Sequence, residues 1–132
     1  MTGSDDKKRI LVVEDEPFIR SLCMRVLANE GFDISVAIDG QIAEQMLDKY
    51  HYDICLVDIR TPVLNGKELY NYILEKHPYL AKGIIFTTGD IIGGDTQAFL
   101  KETGRPYILK PFAPEELRRV IKETLQSLAE SS

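Results

Sequence analysis

Five short aliphatic runs, each followed by a helical hydrophobic pattern, leave this chain few ways to fold. The runs are residues 10–13, 34–37, 54–57, 83–87 and 107–109. Most are almost continuously apolar rather than alternating, which suits strands buried on both faces of a parallel sheet. After the first run, Ile19, Leu22, Cys23, Val26 and Leu27 fall on one helical face, with Pro17 in the first turn and Gly31 past the end. A second helix is expected over residues 41–50, with Ile42, Met46 and Leu47 on one side. A third carries Leu69, Tyr70, Ile73 and Leu74 and stops before Pro78, and a short fourth covers residues 96–102 ahead of Gly104. The fifth puts Leu117, Val120, Ile121, Leu125 and Leu128 on one face behind Pro114 and two acids, which suit the positive helix end. This alternation predicts an α/β fold: a doubly wound parallel sheet with helices on both faces.

A chain of 132 residues is one domain by length and can bury a core without disulfide or metal staples. Residues 9–128 are expected to form it, with 1–8 and 129–132 as frayed tails. A net charge of −5 with no basic cluster argues against direct binding of nucleic acid. No apolar run reaches the roughly 18 residues that would span a membrane. Residues 1–9 lack the apolar centre of a secretory signal, so the cytoplasm is the expected location. Cys23 and Cys55 sit in apolar stretches without ligand spacing and read as buried thiols of a reducing compartment. His51 and His77 show no evident partner for metal binding or acid–base work and read as structural, His77 suiting the C-terminal end of the third helix. Gly93-Gly94 lacks the spacing of a dinucleotide fingerprint and reads as a loop that frees Thr88 to move.

In a sheet of this kind, ligands bind beyond the carboxyl ends of the strands, where the strand order reverses. At those ends stand Glu14-Asp15-Glu16, then Asp58, then Thr88-Gly89, then Lys110-Pro111. Glu14, Asp15 and Asp58 are expected within a few ångströms of one another. Like charges about 4 Å apart repel by roughly 1 kcal/mol in water and by about 4 kcal/mol at an effective dielectric of 20. Such a group needs a cation or a proton, and hard oxygen ligands with room for water and phosphate describe Mg2+. Asp58, fixed by the sheet with its carboxylate exposed at the edge, is the expected nucleophile toward an activated phosphoryl group. Lys110 and the metal would balance the phosphoryl oxygens from opposite sides. The Thr88 hydroxyl can donate to one of them, although Thr87 and Thr88 also read simply as strand formers.

Four segments, 10–16 (ILVVEDE), 56–66 (LVDIRTPVLNG), 85–89 (IFTTG) and 107–112 (YILKPF), resemble the receiver domains of two-component response regulators. The likeness runs from Arg9 to Leu128 and includes chemotaxis-regulator-like receivers. The resemblance implies a flavodoxin-like (βα)5 sheet in the order 2-1-3-4-5. It implies that Glu14 and Asp15 hold Mg2+, that Asp58 is the phosphoacceptor and that Arg60 offers its backbone carbonyl to the metal. It makes Thr88, followed by the small Gly89, the switch hydroxyl. Lys110 becomes the phosphate-contacting lysine before a cis bond to Pro111, and Tyr107 the aromatic that turns inward. A histidine kinase or phosphotransfer protein would donate from a phosphohistidine. The face of the fourth helix, fifth strand and fifth helix would then change its partner, or pair with a second copy. The domain would catalyse only its own phosphorylation and dephosphorylation. Thr61 departs from the family's usual methionine, and Glu14-Asp15 replaces an Asp pair. Arg60 and Asp90 occupy positions that tune phosphate loss, and are expected to pair across the pocket mouth. Residues 98–104 resemble receivers attached to hybrid sensor kinases.

Two further readings share the fold class or the chemistry. A phosphohydrolase resembling the haloacid dehalogenases wants a second Asp two residues after the nucleophile, where Arg60 stands. A flavin-binding domain would have its phosphate repelled by the acidic edge. The remaining alternative is a degenerate receiver that serves as a phosphorylation-independent docking or dimerisation module, against which stand all five expected side chains.

Overall fold

The computed structural model describes residues 7–61, 63–89 and 94–131. Five parallel strands, β1 (Arg9–Val13), β2 (Asp33–Ala37), β3 (Ile54–Asp58), β4 (Ile84–Thr88) and β5 (Tyr107–Leu109), form one sheet in the order β2-β1-β3-β4-β5. The helices α1 (Pro17–Asn29), α2 (Gly40–Lys49), α3 (Gly66–Lys76), α4 (Gly94–Thr103) and α5 (Pro114–Ser131) connect them. This is the flavodoxin-like order, and it reverses between β1 and β3. The crevice therefore opens beyond Val13 and Asp58.

Period-two alternation splits each strand between two cores. Leu11, Val13, Cys55, Val57, Ile84 and Phe86 pack on one face with Leu47, Leu69, Ile73 and Leu100 from α2, α3 and α4. Ile10, Val12, Ile54, Leu56, Ile85 and Ile108 face the other way, against Cys23, Leu27, Leu117 and Ile121 from α1 and α5. Both faces being covered explains why the central strands read as unbroken apolar runs. Cys23 and Cys55 are buried and free, and burial pushes both thiols up to about 12, which leaves them inert.

The structure departs from the sequence reading at several ends. A 3-10 helix, Pro78–Gly83, precedes β4 and was not expected. It displaces the strand by one residue, so β4 ends on Thr88 instead of Thr87. Gly83 closes this turn because a Cβ there would collide with the Asp53 carbonyl. The helix α5 runs through residues 129–131, which were expected to fray. Ala129 and Glu130 are good helix formers, and Gln126 Nε2 donates to Glu130 Oε2 at 3.5 Å one turn away. His77, read as structural, has its Nε2 2.8 Å from Asp48 Oδ1, which also accepts from the Tyr72 hydroxyl at 2.6 Å. These bonds tie α2 to the end of α3.

The loop after β3 is held tightly against the strand it leaves. Gly66 N donates to Ile59 O at 2.9 Å, and a Cβ at Gly66 would stand 2.7 Å from Ile59 Cα and 3.2 Å from Asp58 O. Asn65 and Glu68 then cap α3 reciprocally, each side chain accepting from the other's backbone N–H at 2.9 and 3.0 Å. Because backbone blocks the space, Gly66→Ala is expected to destabilise the protein by about 1–3 kcal/mol. A urea titration followed by circular dichroism checks this, and an unchanged midpoint would show that the loop yields without cost.

Candidate functional site

Glu14 is the first residue past β1, and its backbone N–H still donates to Ala37 O at 3.0 Å as if the strand continued. That extension buries its side chain. Extended backbone carries residues i and i+2 on the same side, and Glu16, with φ −77° and ψ 117°, prolongs it. Glu14 Oε2 accepts the Glu16 backbone N–H at 3.1 Å. Arg20, near the start of α1, reaches back and donates from Nη1 to the carbonyl oxygens of Glu14 and Asp15 at 3.2 and 3.1 Å. It pins the segment that carries the acids.

Asp58 is the last residue of β3, and its carboxylate is buried rather than exposed at the edge as expected. The reason is Lys110, whose ammonium covers it with Nζ 3.0 Å from Oδ2. Oδ1 accepts the Arg60 backbone N–H at 3.0 Å. Thr61, the departure from the usual methionine, is itself buried and donates from its hydroxyl to Asp58 O at 2.6 Å. Both bonds turn the chain back immediately after the strand.

Lys110 comes from the far side of the sheet. Its backbone N–H donates to Thr88 O at 2.9 Å, and the Lys110-Pro111 bond is cis, as the resemblance implied. Its Nζ lies 2.8 Å from Glu14 Oε1 and 3.0 Å from Glu16 Oε1, besides the contact with Asp58. Among the described residues, Glu14, Glu16 and Asp58 form the acidic cluster, with ligand oxygens within 4.8 Å of one another. Asp15, expected in that group, is exposed; it lines the adjoining cleft of about 250 Å3 together with Glu16, Asp58, Arg60, Gly89 and Lys110. The alternation past the strand end turns Asp15 outward and Glu16 toward Lys110.

Thr88 is buried at the end of β4, and Tyr107 on β5 is 43% exposed. Asp90 lies outside the described residues, and with it the expected pairing to Arg60. Glu16, Arg20 and Thr61 are the site residues that sequence reasoning did not assign a role. The third acid of Glu14-Asp15-Glu16 was a visible signal for the first. Nothing in spacing alone marked Arg20 or Thr61.

Three acids and one ammonium share this pocket. Burial, with the neighbouring Asp58 charge adding to it, pushes the Glu14 carboxyl up to about 6, against the lowering bonds from Lys110 and Glu16 N–H. Burial also works against the Lys110 ammonium, but its hydrogen bonds to Glu14, Asp58 and Glu16 outweigh that and hold it above its ordinary range. Lys110 is thus charged at any physiological pH. The donors are hard oxygens with an open cleft beside them, which fits a divalent cation and a phosphate better than a soft metal.

Known proteins share this arrangement of strands. The family model described as response regulator receiver domain matches residues 10–122. The transcriptional regulatory protein TrcR of Mycobacterium tuberculosis is 35% identical over 83% of this chain and 42% of its own length. A receiver domain protein (CheY-like) from Methanospirillum hungatei superposes with a TM-score of 0.86 at 27% identity, covering 96% of this chain and 99% of that one. The receiver domain of the sensor histidine kinase PA1611 from Pseudomonas aeruginosa has a TM-score of 0.80 at 28% identity, covering 91% of this chain and 98% of that one. That structure holds a magnesium ion in its active-site cleft. The chain spans between 7% and 56% of the length of its first curated relatives. No helix among the described residues is long and apolar enough to cross a membrane.

Raising the Glu14 carboxyl from 4.5 to about 6 has a definite sign for stability. The folded state holds this proton more tightly than the unfolded chain, so the contribution is fully present below about pH 4.5 and is lost as pH rises through about 6. The ionised form then costs the folded state about 2 kcal/mol. In metal-free buffer, Glu14→Gln should therefore be more stable than the wild type by about 1–2 kcal/mol at pH 7.5, with no advantage at pH 4. Urea midpoints at the two pH values read this out; a variant less stable at pH 7.5 would mean that Glu14 is a net stabilising charge.

Proposed function

The chain belongs to the response regulator receiver domain family, and from that premise we propose that it is a phosphorylation switch whose acceptor is Asp58. The observation that supports this most is the meeting of Lys110 and Asp58, 3.0 Å apart though 52 residues separate them in sequence. A lysine placed there balances charge on a group attached to the carboxylate. In the reaction, an Asp58 carboxylate oxygen bonds to phosphorus while the bond from phosphorus to the donor nitrogen breaks. The electron pair of the broken bond stays on the donor imidazole, which recovers its proton from solvent. The donor is a phosphohistidine on a sensor histidine kinase or phosphotransfer protein.

Glu14, Asp15, Asp58 and the Arg60 carbonyl would hold Mg2+ beside the acceptor. The chemistry a bound Mg2+ supplies is neutralisation of the carboxylates and of the phosphoryl oxygens. The chain's own groups do the rest. The Arg60 N–H fixes the Asp58 carboxylate, Thr61 and Gly66 fix the loop, and Lys110 faces the incoming oxygens from the side of β5. Water is later admitted to hydrolyse the acyl phosphate, at a rate tuned by the side chains at Arg60 and Asp90.

The signal leaves through Thr88 and Tyr107. Thr88 donates its hydroxyl to a phosphoryl oxygen and is drawn toward the pocket, and Tyr107 turns inward into the space that opens. A cavity of about 250 Å3 lined by Gln97, Leu100, Lys101 and Tyr107 supports that movement, because room for the ring exists between α4 and β5. The face of α4, β5 and α5 then changes its binding to a downstream partner or to a second copy.

Incubation with acetyl phosphate or beryllofluoride and Mg2+, read by intact mass and by NMR shifts, tests the acceptor. Wild type should gain one phosphoryl group from acetyl phosphate and shift its NMR signals with beryllofluoride, and Asp58→Asn should do neither. Labelling that persists in Asp58→Asn would move the acceptor elsewhere, and no labelling of the wild type would favour the phosphorylation-independent docking module.

A further inference from the structure

An ammonium has three N–H donors and no acceptor. Lys110 commits all three to carboxylates, at 2.8 Å to Glu14, 3.0 Å to Asp58 and 3.0 Å to Glu16. A phosphoryl group on Asp58 brings new acceptor oxygens beside this nitrogen. The bond to Asp58 passes to one of them as that carboxylate loses its charge, and a second phosphoryl bond requires that Glu14 or Glu16 be given up. These two are not equal in what they lose. The Glu14 side chain is 3% exposed, so water cannot replace the ammonium there. The Glu16 side chain is 58% exposed, and water takes over its solvation as soon as the bond opens.

We propose that Glu16 is a positioning residue that holds Lys110 in the unloaded state and competes with the phosphoryl group for its third N–H, thereby setting phosphoryl affinity. The proposal rests on Asp58 being the acceptor. Glu16 acts on the transferred group through Lys110. Its exposure keeps the competition mild, so the switch is restrained without being blocked. The backbone bond from Glu16 N–H to Glu14 Oε2 keeps the loop in place when the side chain lets go.

Glu16→Gln removes the charge at nearly constant shape. With Mg2+ saturating, it should bind beryllofluoride about two- to fivefold more tightly than the wild type, the range that the loss of a mild exposed competitor allows. The gain should vanish when Lys110→Met is present, because the competition needs the ammonium. A gain that persists without Lys110 would be simple charge repulsion and would overturn the proposal. Should Lys110→Met fail to fold, Glu16→Asp decides: the charge stays but the shorter side chain falls short of Nζ, so a gain supports competition and no gain overturns it. Wild-type binding with an unchanged Glu16→Gln affinity would sink this inference and leave the acceptor assignment standing. Absence of beryllofluoride binding by the wild type would remove the acceptor reading, and the proposal with it.

Discussion

The Lys110 ammonium, held between Glu14, Glu16 and Asp58, is the interaction on which the functional end of this molecule depends. Each acid would be ordinary at a strand end, where carboxylates commonly cap helices. Together they form a negatively charged pocket with two of its members enclosed by protein. A single cation from β5 makes that concentration tolerable, while burial, with the Asp58 charge adding to it, still pushes the Glu14 carboxyl up to about 6. Three carboxylates against one ammonium leave the pocket short of positive charge, and the proposed binding of a second cation and of a phosphoryl group rests on that shortfall.

The sheet makes this arrangement possible. Parallel strands deliver all their carboxyl ends to one edge, so Glu14, Asp58 and Lys110 meet although the chain between them builds separate helices, and the Thr88 carbonyl accepts the Lys110 backbone N–H at the same edge. The register of β3 against β4 sets Asp58 opposite Thr87, with Thr88 one step further out. The register of β4 against β5 sets Thr88 opposite Leu109, one residue before Lys110. Apolar packing on both faces fixes that register, because a slip of one residue would exchange the two cores. The apolar packing is thus concentrated in the sheet interior, and the charged groups stand at its rim, on the residues that end or follow β1, β3 and β5.

Much of this was legible in the sequence, for reasons that can be named. The strands were visible because burial on both faces leaves no polar residue inside them, and α1 and α5 because one apolar face repeats cleanly. Asp58, Thr88 and Lys110 were legible because each follows such a run, and a parallel sheet converts that position into proximity. What escaped was set by tertiary contact. Residues 78–83 carry no periodicity, and the close approach of the Asp53 carbonyl to Gly83 appears only in the folded structure. The contact of Glu16 with Lys110 was not foreseen, because nothing local says that extended backbone continues past Val13. Arg20 reads as a helix-surface cation until its reach to two loop carbonyls is seen. The burial of Asp58 depended on where a side chain 52 residues away would lie.

If Lys110 is the internal counter-ion of the acidic rim, its removal must expose the repulsion it suppresses, and an added divalent cation must relieve it. Chemical denaturation of Lys110→Met at pH 7.5, without and with saturating Mg2+, measures both. Without metal, the variant should lose about 2–4 kcal/mol relative to the wild type, as expected when one partner leaves an enclosed ion cluster. With Mg2+ it should recover more stability than the wild type gains under the same conditions. A variant as stable as the wild type without metal, or one that gains no more from Mg2+, would contradict the account.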